Sequence, residues 1–297
     1  MDSIKKRNLF LGVTILLVAV LVVVAAVVLA KGPRESSVEV ISKNGSELEV
    51  NDLYAGKMTI PNFDIPTSNY KPDSFVENKG VVTYEGGDSY VGINVNSKMG
   101  EIDWGKVAES GVDFAMIRVG YRQNERGKII LDTSFEANMK GAAEAGLPVG
   151  VYFFSKAVTD AEAEEEATFV LEQVKGYSVT YPIAYYWEYD LNDDGTPNQD
   201  SRTVACNGDQ VTGFIDTFCK KIKNAGFPGG ASYYCNKTMG YEKLDLSRLK
   251  DYDMWYAEYQ KAPSFYYAFK LWQYTDAGEV PGISGKVPIT IALRKYG

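Results

Sequence analysis

Histidine is absent from the 297 residues. That absence excludes Ser-His-Asp and Cys-His catalysis and every metal site built on imidazole. Cysteine is scarce. Cys206, Cys219 and Cys235 show no CxxC spacing, and they read as small buried residues; a disulfide between any two would leave an odd thiol. Positive charge is short as well. With 31 Lys and Arg against 39 Asp and Glu, the net charge is −8, which argues against nucleic acid as a partner, because phosphate binding needs a basic surface.

What is present is an ordinary globular composition, 45% hydrophobic and 24% charged, with enough apolar residues for a sizeable core. Aromatic residues stand out: 21 Tyr, 13 Phe and 4 Trp. Tyr-rich surfaces suit carbohydrate, since ring faces pack on sugar C–H faces while hydroxyls hydrogen-bond. The plainer reading is that Tyr fills strands, where its propensity is high.

Residues 9–30 form an uncharged run of Val, Leu and Ala, preceded by Lys5, Lys6 and Arg7. At ~1.5 Å per residue such a helix crosses a hydrocarbon core of about 30 Å, and the basic cluster holds the N-terminus in the cytoplasm. The expectation is a single-pass anchor in the cell membrane (residues 1–31), with the rest extracytoplasmic. The alternative is a secreted chain released by cleavage near Val28 and Ala30, but signal-peptide apolar regions are usually only about 7–15 residues long. Residues 32–88 are polar, with Pro61, Pro66 and Pro72 and no sustained period. They read as an extended linker with short extended pieces at Met58-Thr59-Ile60 and Val81-Val82-Thr83.

From residue 89 the texture changes to alternating strand and helix signals. Strands are expected over residues 91–95, 114–119, 149–154, 181–189, 231–234, 253–259 and 268–274. Helices are expected from about residue 102 to Gly111, and over residues 135–145, 160–174 and 211–224, with Gly146 as a stop. The alternation argues for an α/β fold, a parallel β/α barrel of the TIM type, over residues 89–297. Active-site residues would then lie at the C-terminal ends of its strands.

Several motifs recur in a familiar order. Gly92-Ile93-Asn94-Val95-Asn96, Gly100-Glu101-Ile102-Asp103-Trp104 and Ile117-Arg118-Val119-Gly120-Tyr121-Arg122 open the series. Ala145-Gly146-Leu147-Pro148-Val149-Gly150-Val151-Tyr152-Phe153-Phe154-Ser155 and Tyr181-Pro182-Ile183-Ala184-Tyr185-Tyr186-Trp187-Glu188 follow. Trp255-Tyr256-Ala257-Glu258-Tyr259, Trp272-Gln273-Tyr274-Thr275 and Val280-Pro281-Gly282-Ile283 close it. Together they resemble family 25 glycoside hydrolases, the bacterial-type muramidases. The resemblance implies a distorted β/α barrel that cuts the β-1,4 bond between N-acetylmuramic acid and N-acetylglucosamine in peptidoglycan. It also implies acids at four places: an Asp on the first strand, an Asp-x-Glu pair on the catalytic strand and an Asp near the last strand.

Glycoside hydrolysis needs one carboxylic acid to protonate the leaving oxygen and a second group to attack or stabilise the oxocarbenium-like centre. On a strand, residues i and i+2 face the same side, ~6.5–7 Å apart, so Asp-x-Glu aims two carboxylates into one cleft. Here the pair is Tyr186-Trp187-Glu188. Glu188 carries over as the candidate general acid. Tyr186 stands at the Asp position, and a phenol with a reference pKa of about 10 supplies no negative charge at neutral pH. Asn94 replaces the first-strand Asp, Pro288 the late Asp, and Glu258 the family's usual His after Trp-x-Ala.

The expected substrate-binding set is Asn94, Tyr152, Tyr186, Tyr234, Trp255, Glu258 and Trp272. No metal site and no cofactor are expected; Asn192-Asp193-Asp194-Gly195 suggests calcium only weakly, lacking the remaining loop ligands. Rescue readings remain open: Tyr186 as a nucleophile, or Asp190 or Glu258 as a replacement carboxylate. Three functions follow. The first is a membrane-anchored cell-wall pseudoenzyme that recognises peptidoglycan with hydrolysis weak or lost. The second is an active muramidase using Glu188, and the third an envelope protein-interaction scaffold.

Overall fold

The computed structural model describes residues 34–297. The apolar run at residues 9–30, and with it the anchor reading, lies outside the described residues. Among the described residues no helix is long and apolar enough to cross a membrane.

The core is a closed barrel of eight strands within a mixed α/β chain. Its strands are β6 (Tyr90–Val95), β7 (Phe114–Arg122), β9 (Val149–Ser155), β10 (Ile183–Trp187), β11 (Ala231–Asn236), β12 (Asp253–Ala257), β13 (Leu271–Gly278) and β14 (Val287–Ala292). Neighbours from β6 through β13 run parallel, β14 runs antiparallel to both β13 and β6, and the β6–β7 pairing closes the ring. The short β8 (Ile129–Leu131) folds back on β7 as an edge strand. The antiparallel β14 is the main departure from the expected parallel barrel, and the sequence pattern did not mark it as a strand.

Period-2 alternation divides the side chains of each strand into two layers. The inner layer is one cluster, including Met116, Tyr152, Ala184, Tyr234, Trp255 and Leu271. The outer layer includes Ile117, Phe153, Tyr185, Trp187, Tyr256 and Trp272 and belongs to the main core. Helices Trp104–Glu109, Phe135–Glu144, Asp160–Gln173 and Gly208–Ala225 follow β6, β8, β9 and β10. Their starts are fixed by Asp103, Thr159 and Asn207, whose side chains accept backbone N–H groups; Phe135–Glu144 lacks such a side-chain cap. Gly226, at φ 76, ends the last of them in the left-handed region that glycine adopts without strain.

No helix follows β12; residues 258–270 return as a loop. The chain solves this gap with the stretch expected to be a linker, which is folded. Strands β1 (Val38–Asn44), β2 (Glu47–Asp52) and β3 (Gly56–Pro61) form an antiparallel sheet, and β4 (Phe75–Asn78) pairs with β5 (Val81–Tyr84) as a hairpin. Residues 36–297 form one compact unit. Phe75 packs edge-on against Trp272 with ring centroids 5.0 Å apart, and Tyr70 packs on Phe269 at the same distance. Phe63 N donates to Tyr267 Oη at 2.9 Å, and Val82 N to Tyr274 Oη at 3.2 Å. Asp52 and Lys237 pair at 2.9 Å across the same seam. Burying the apolar face of the helix-free strands is the physical reason for this arrangement.

Candidate functional site

The C-terminal ends of the parallel strands bring Asn94, Tyr152, Tyr186, Glu188, Tyr234 and Trp255 to one mouth of the barrel. Asn94 is on β6 and nearly fully buried. Its Nδ2 donates to Gln273 Oε1 at 2.8 Å and to Thr290 Oγ1 at 3.2 Å. Trp255 Nε1 also donates to Thr290 Oγ1, at 3.1 Å. Gln273 Nε2 donates to the Tyr259 phenol at 2.7 Å. The Tyr259, Tyr234 and Tyr186 phenols and the Glu188 carboxylate lie close enough to act on one another electrostatically. A chain of uncharged hydrogen-bonded groups therefore runs from Asn94 on β6 through Gln273 to Tyr259, with the Tyr234 and Tyr186 phenols between it and Glu188.

The same residues fill the mouth with rings. Tyr186 stacks on Tyr234 at 3.7 Å between centroids, and both stand edge-on to Trp255. Exposure is 0% for Trp255, 5% for Tyr234 and 6% for Tyr152. Trp255 is therefore closed off from a ligand, and Tyr234 and Tyr152 expose only a small part of their surface, so none of the three presents the open stacking face expected of it. Tyr259, at 49% exposure, is the ring that does present a face. Burial holds the Tyr186 and Tyr234 phenols well above their ordinary range, so both stay neutral.

Glu188 follows β10 and is half-buried. Burial pushes its carboxyl up to about 6, with the Lys156 ammonium opposing, Asp190 adding, and the Tyr186 hydrogen bond opposing. Lys156 Nζ donates to the Glu188 carbonyl at 3.0 Å and forms an ion pair with Asp190. The other Asp190 oxygen accepts from Ser201 at 2.6 Å. Asp190 is thus occupied by a buried lysine and a hydroxyl. On the β7 side of the mouth, Arg118 is paired with buried Asp132 at 2.7 Å, and Asn96 Nδ2 donates to Tyr152 Oη at 3.3 Å.

Two expected site residues face the other way. Trp272 is fully buried in the outer layer against Phe75, with its Nε1 donating to the Glu258 carbonyl at 2.9 Å. Glu258 also points outward, where its carboxylate pairs with Lys237 at 2.9 Å and accepts from Ser264 Oγ at 2.8 Å. Alternation explains both: Trp255, Ala257 and Gln273 face inward, so their neighbours face outward. Gln273, Thr290, Tyr259 and Lys156 are the mouth residues that the sequence pattern did not single out. Gln273 was within reach, since it lies one step from Trp272 on the opposite face.

Pro288 lies one step beyond the Ile289–Ile93 pair, in register with Asn94 on the antiparallel ladder. The three cysteines are free and buried. Asp194 accepts from Thr196 N and Oγ1, and Leu191 bridges Pro197, which makes residues 192–195 the tip of a turn. Among the described residues no group of three or more metal-ligating side chains is gathered.

Residues 93–283 match the sequence model of the family described as Glycosyl hydrolases family 25. The autolytic lysozyme of Clostridium acetobutylicum is 28% identical over 200 residues, covering 67% of this chain and 54% of that protein. The chain thus spans about half the length of that curated relative. Among solved structures, a family 25 glycosyl hydrolase from Bacillus anthracis superposes with a TM-score of 0.57 at 18% identity, over 74% of this chain and 96% of that one. The modular autolysin LytC from Streptococcus pneumoniae gives 0.55 at 22% identity, over 84% of this chain and 57% of that one.

Proposed function

The chain belongs to family 25 of the glycosyl hydrolases, and on that premise we propose that it is a membrane-anchored cell-wall protein whose barrel mouth recognises peptidoglycan glycan, with hydrolysis weak or lost. The observation that carries this reading is the uncharged chain Asn94–Gln273–Tyr259 at the mouth, across from Glu188. The common retaining and inverting mechanisms set a second carboxylate opposite the first, about 5–10 Å away. Asp190 is held by Lys156 and Ser201, and Glu258 lies in the outer layer with Lys237. Neutral amides and phenols suit a sugar's hydroxyls, which donate and accept equally well.

The ligand class is supported by the relatives: the matched protein from Clostridium acetobutylicum is an autolytic lysozyme, and LytC has been solved with a synthetic peptidoglycan ligand. The anchor is supported by the apolar run at residues 9–30 behind Lys5, Lys6 and Arg7. Pelleting with purified cell wall tests recognition, and carbonate-resistant membrane association tests the anchor. Failure of the full chain to bind wall material would favour the scaffold reading.

One observation favours an active muramidase instead. A carboxyl raised to about 6 retains a proton at mildly acidic pH, as a general acid must. Release of reducing ends from wall by the full chain, absent in Glu188→Gln, would establish that second reading.

A further inference from the structure

The hairpin β4–β5 does more than cover Trp272. With β13 and the turn at residues 259–261, it walls an open cleft of about 560 Å³, within the range of small-ligand sites. Tyr259 is common to this cleft and to the mouth of the barrel: its phenol accepts from Gln273, and its half-exposed ring lines the cleft. The charged lining is Lys79, Lys261 and Lys286 with Glu77 and Glu279. Lys286 and Glu279 pair with each other. Lys79 and Lys261 are exposed, and among the described residues no ion pair engages either. Glu77 is the remaining acid of the lining, which therefore holds one more lysine than glutamate, with Asp276 beside Tyr259 at its edge.

Lys79 carries a second signal. It is the only described non-glycine residue with positive φ, 52°, and with Gly80 at 81° it forms the hairpin's two-residue turn. Such turns favour Gly, which has no Cβ to clash in the left-handed region, or Asn, whose short side chain offsets the cost by local hydrogen bonding. A lysine held there at the cleft edge points to a use for its charge.

We propose that this cleft binds a short anionic peptide branch carried on the glycan, with the saccharide lying in the mouth beyond Tyr259; the proposal rests on the glycan reading above. Lys79 and Lys261 meet the branch's carboxylates, and the Tyr259 ring packs at the junction between branch and sugar. The hairpin, at residues 75–84, lies outside the family match at residues 93–283, whereas Tyr259, Lys261 and Tyr274 of the same cleft lie inside it.

The test is equilibrium binding of the purified full chain to three probes: a peptide-bearing glycan fragment, the same fragment with its peptides removed by an amidase, and the free peptide. The peptide-bearing fragment is expected to bind roughly tenfold more tightly than the stripped one, the scale of two solvent-exposed ion pairs. The double variant Lys79→Gln, Lys261→Gln should erase that advantage and leave affinity for the stripped fragment unchanged. Added salt should shrink the advantage, since both lysines are exposed. Equal binding of the two fragments by the parent chain, or an advantage that survives the double variant, overturns the cleft while the glycan reading stands. Lysine-dependent binding of the free peptide alone supports the cleft and removes the glycan reading. Binding of no probe overturns both.

Discussion

Asn94 Nδ2 donates to Gln273 Oε1 at 2.8 Å, and Gln273 Nε2 donates onward to Tyr259 at 2.7 Å. The glutamine amide is thereby oriented, acceptor toward β6 and donor toward the rim. A carboxylate at position 94 would set a charged acceptor against Oε1, with only Thr290 Oγ1 left to donate. Asn94→Asp is therefore expected to destabilise the fold by about 1–3 kcal/mol at pH 8. The loss should fade below pH 4, where a protonated Asp can donate as Asn does. Urea unfolding at the two pH values checks this. A variant as stable as the parent at pH 8 would mean that the mouth still accommodates the family's acid.

Glu188 gives a pH dependence of known sign. Its folded pKa of about 6 lies above the ordinary 4.5, so its contribution is full below the unfolded value and is lost as pH rises through about 6. Glu188→Gln removes the cost of a half-buried charge, and should stabilise the fold by about 1–2 kcal/mol above pH 7 with no such gain at pH 4. Denaturant midpoints at both pH values measure this. A variant less stable at pH 8 would show that the carboxylate is better solvated than its burial implies.

Trp272 tests the outward placement. Trp272→Ala and Phe75→Ala both open the seam between hairpin and barrel, and each should cost about 3–5 kcal/mol. Glycan binding by the folded fraction should not change. A stable Trp272→Ala variant that fails to bind wall would place the indole in the mouth instead.

Lys237 sits between Asp52 and Glu258, at 2.9 Å from each. Lys237→Met leaves two carboxylates facing one another, and about 2–3 kcal/mol of stability should go, between the values for exposed and buried pairs. Adding Asp52→Asn and Glu258→Gln should restore part of it, as coupled neighbours do. Independent, additive effects of the three changes would deny the cluster.

The barrel was legible because its strands are runs such as Val149-Gly150-Val151-Tyr152-Phe153-Phe154, bounded by turn residues and separated by capped helices. The sheet β1–β3 was not. β2 alternates Leu48, Val50 and Asp52 inward, and a buried Asp breaks the apolar period; its reason for burial, Lys237, lies 185 residues away. β14 was hidden by Pro288, which demotes a strand pattern. At the site, Glu188, Asn94 and Tyr186 came from motif positions and do meet at one mouth. Trp272 and Glu258 also came from motif positions, but a one-residue phase turns both to the outer face. No composition argument fixes that phase; the pairing of Ala257 with Gln273 does.

The most direct test of the account is release of reducing ends from purified peptidoglycan at pH 5–6 by the full chain, run beside wall pelleting and the Glu188→Gln variant. The account predicts that the parent chain pellets with the wall while releasing no more ends than the variant. Glu188-dependent release at a rate comparable to an autolytic lysozyme of the family, measured alongside, would contradict it.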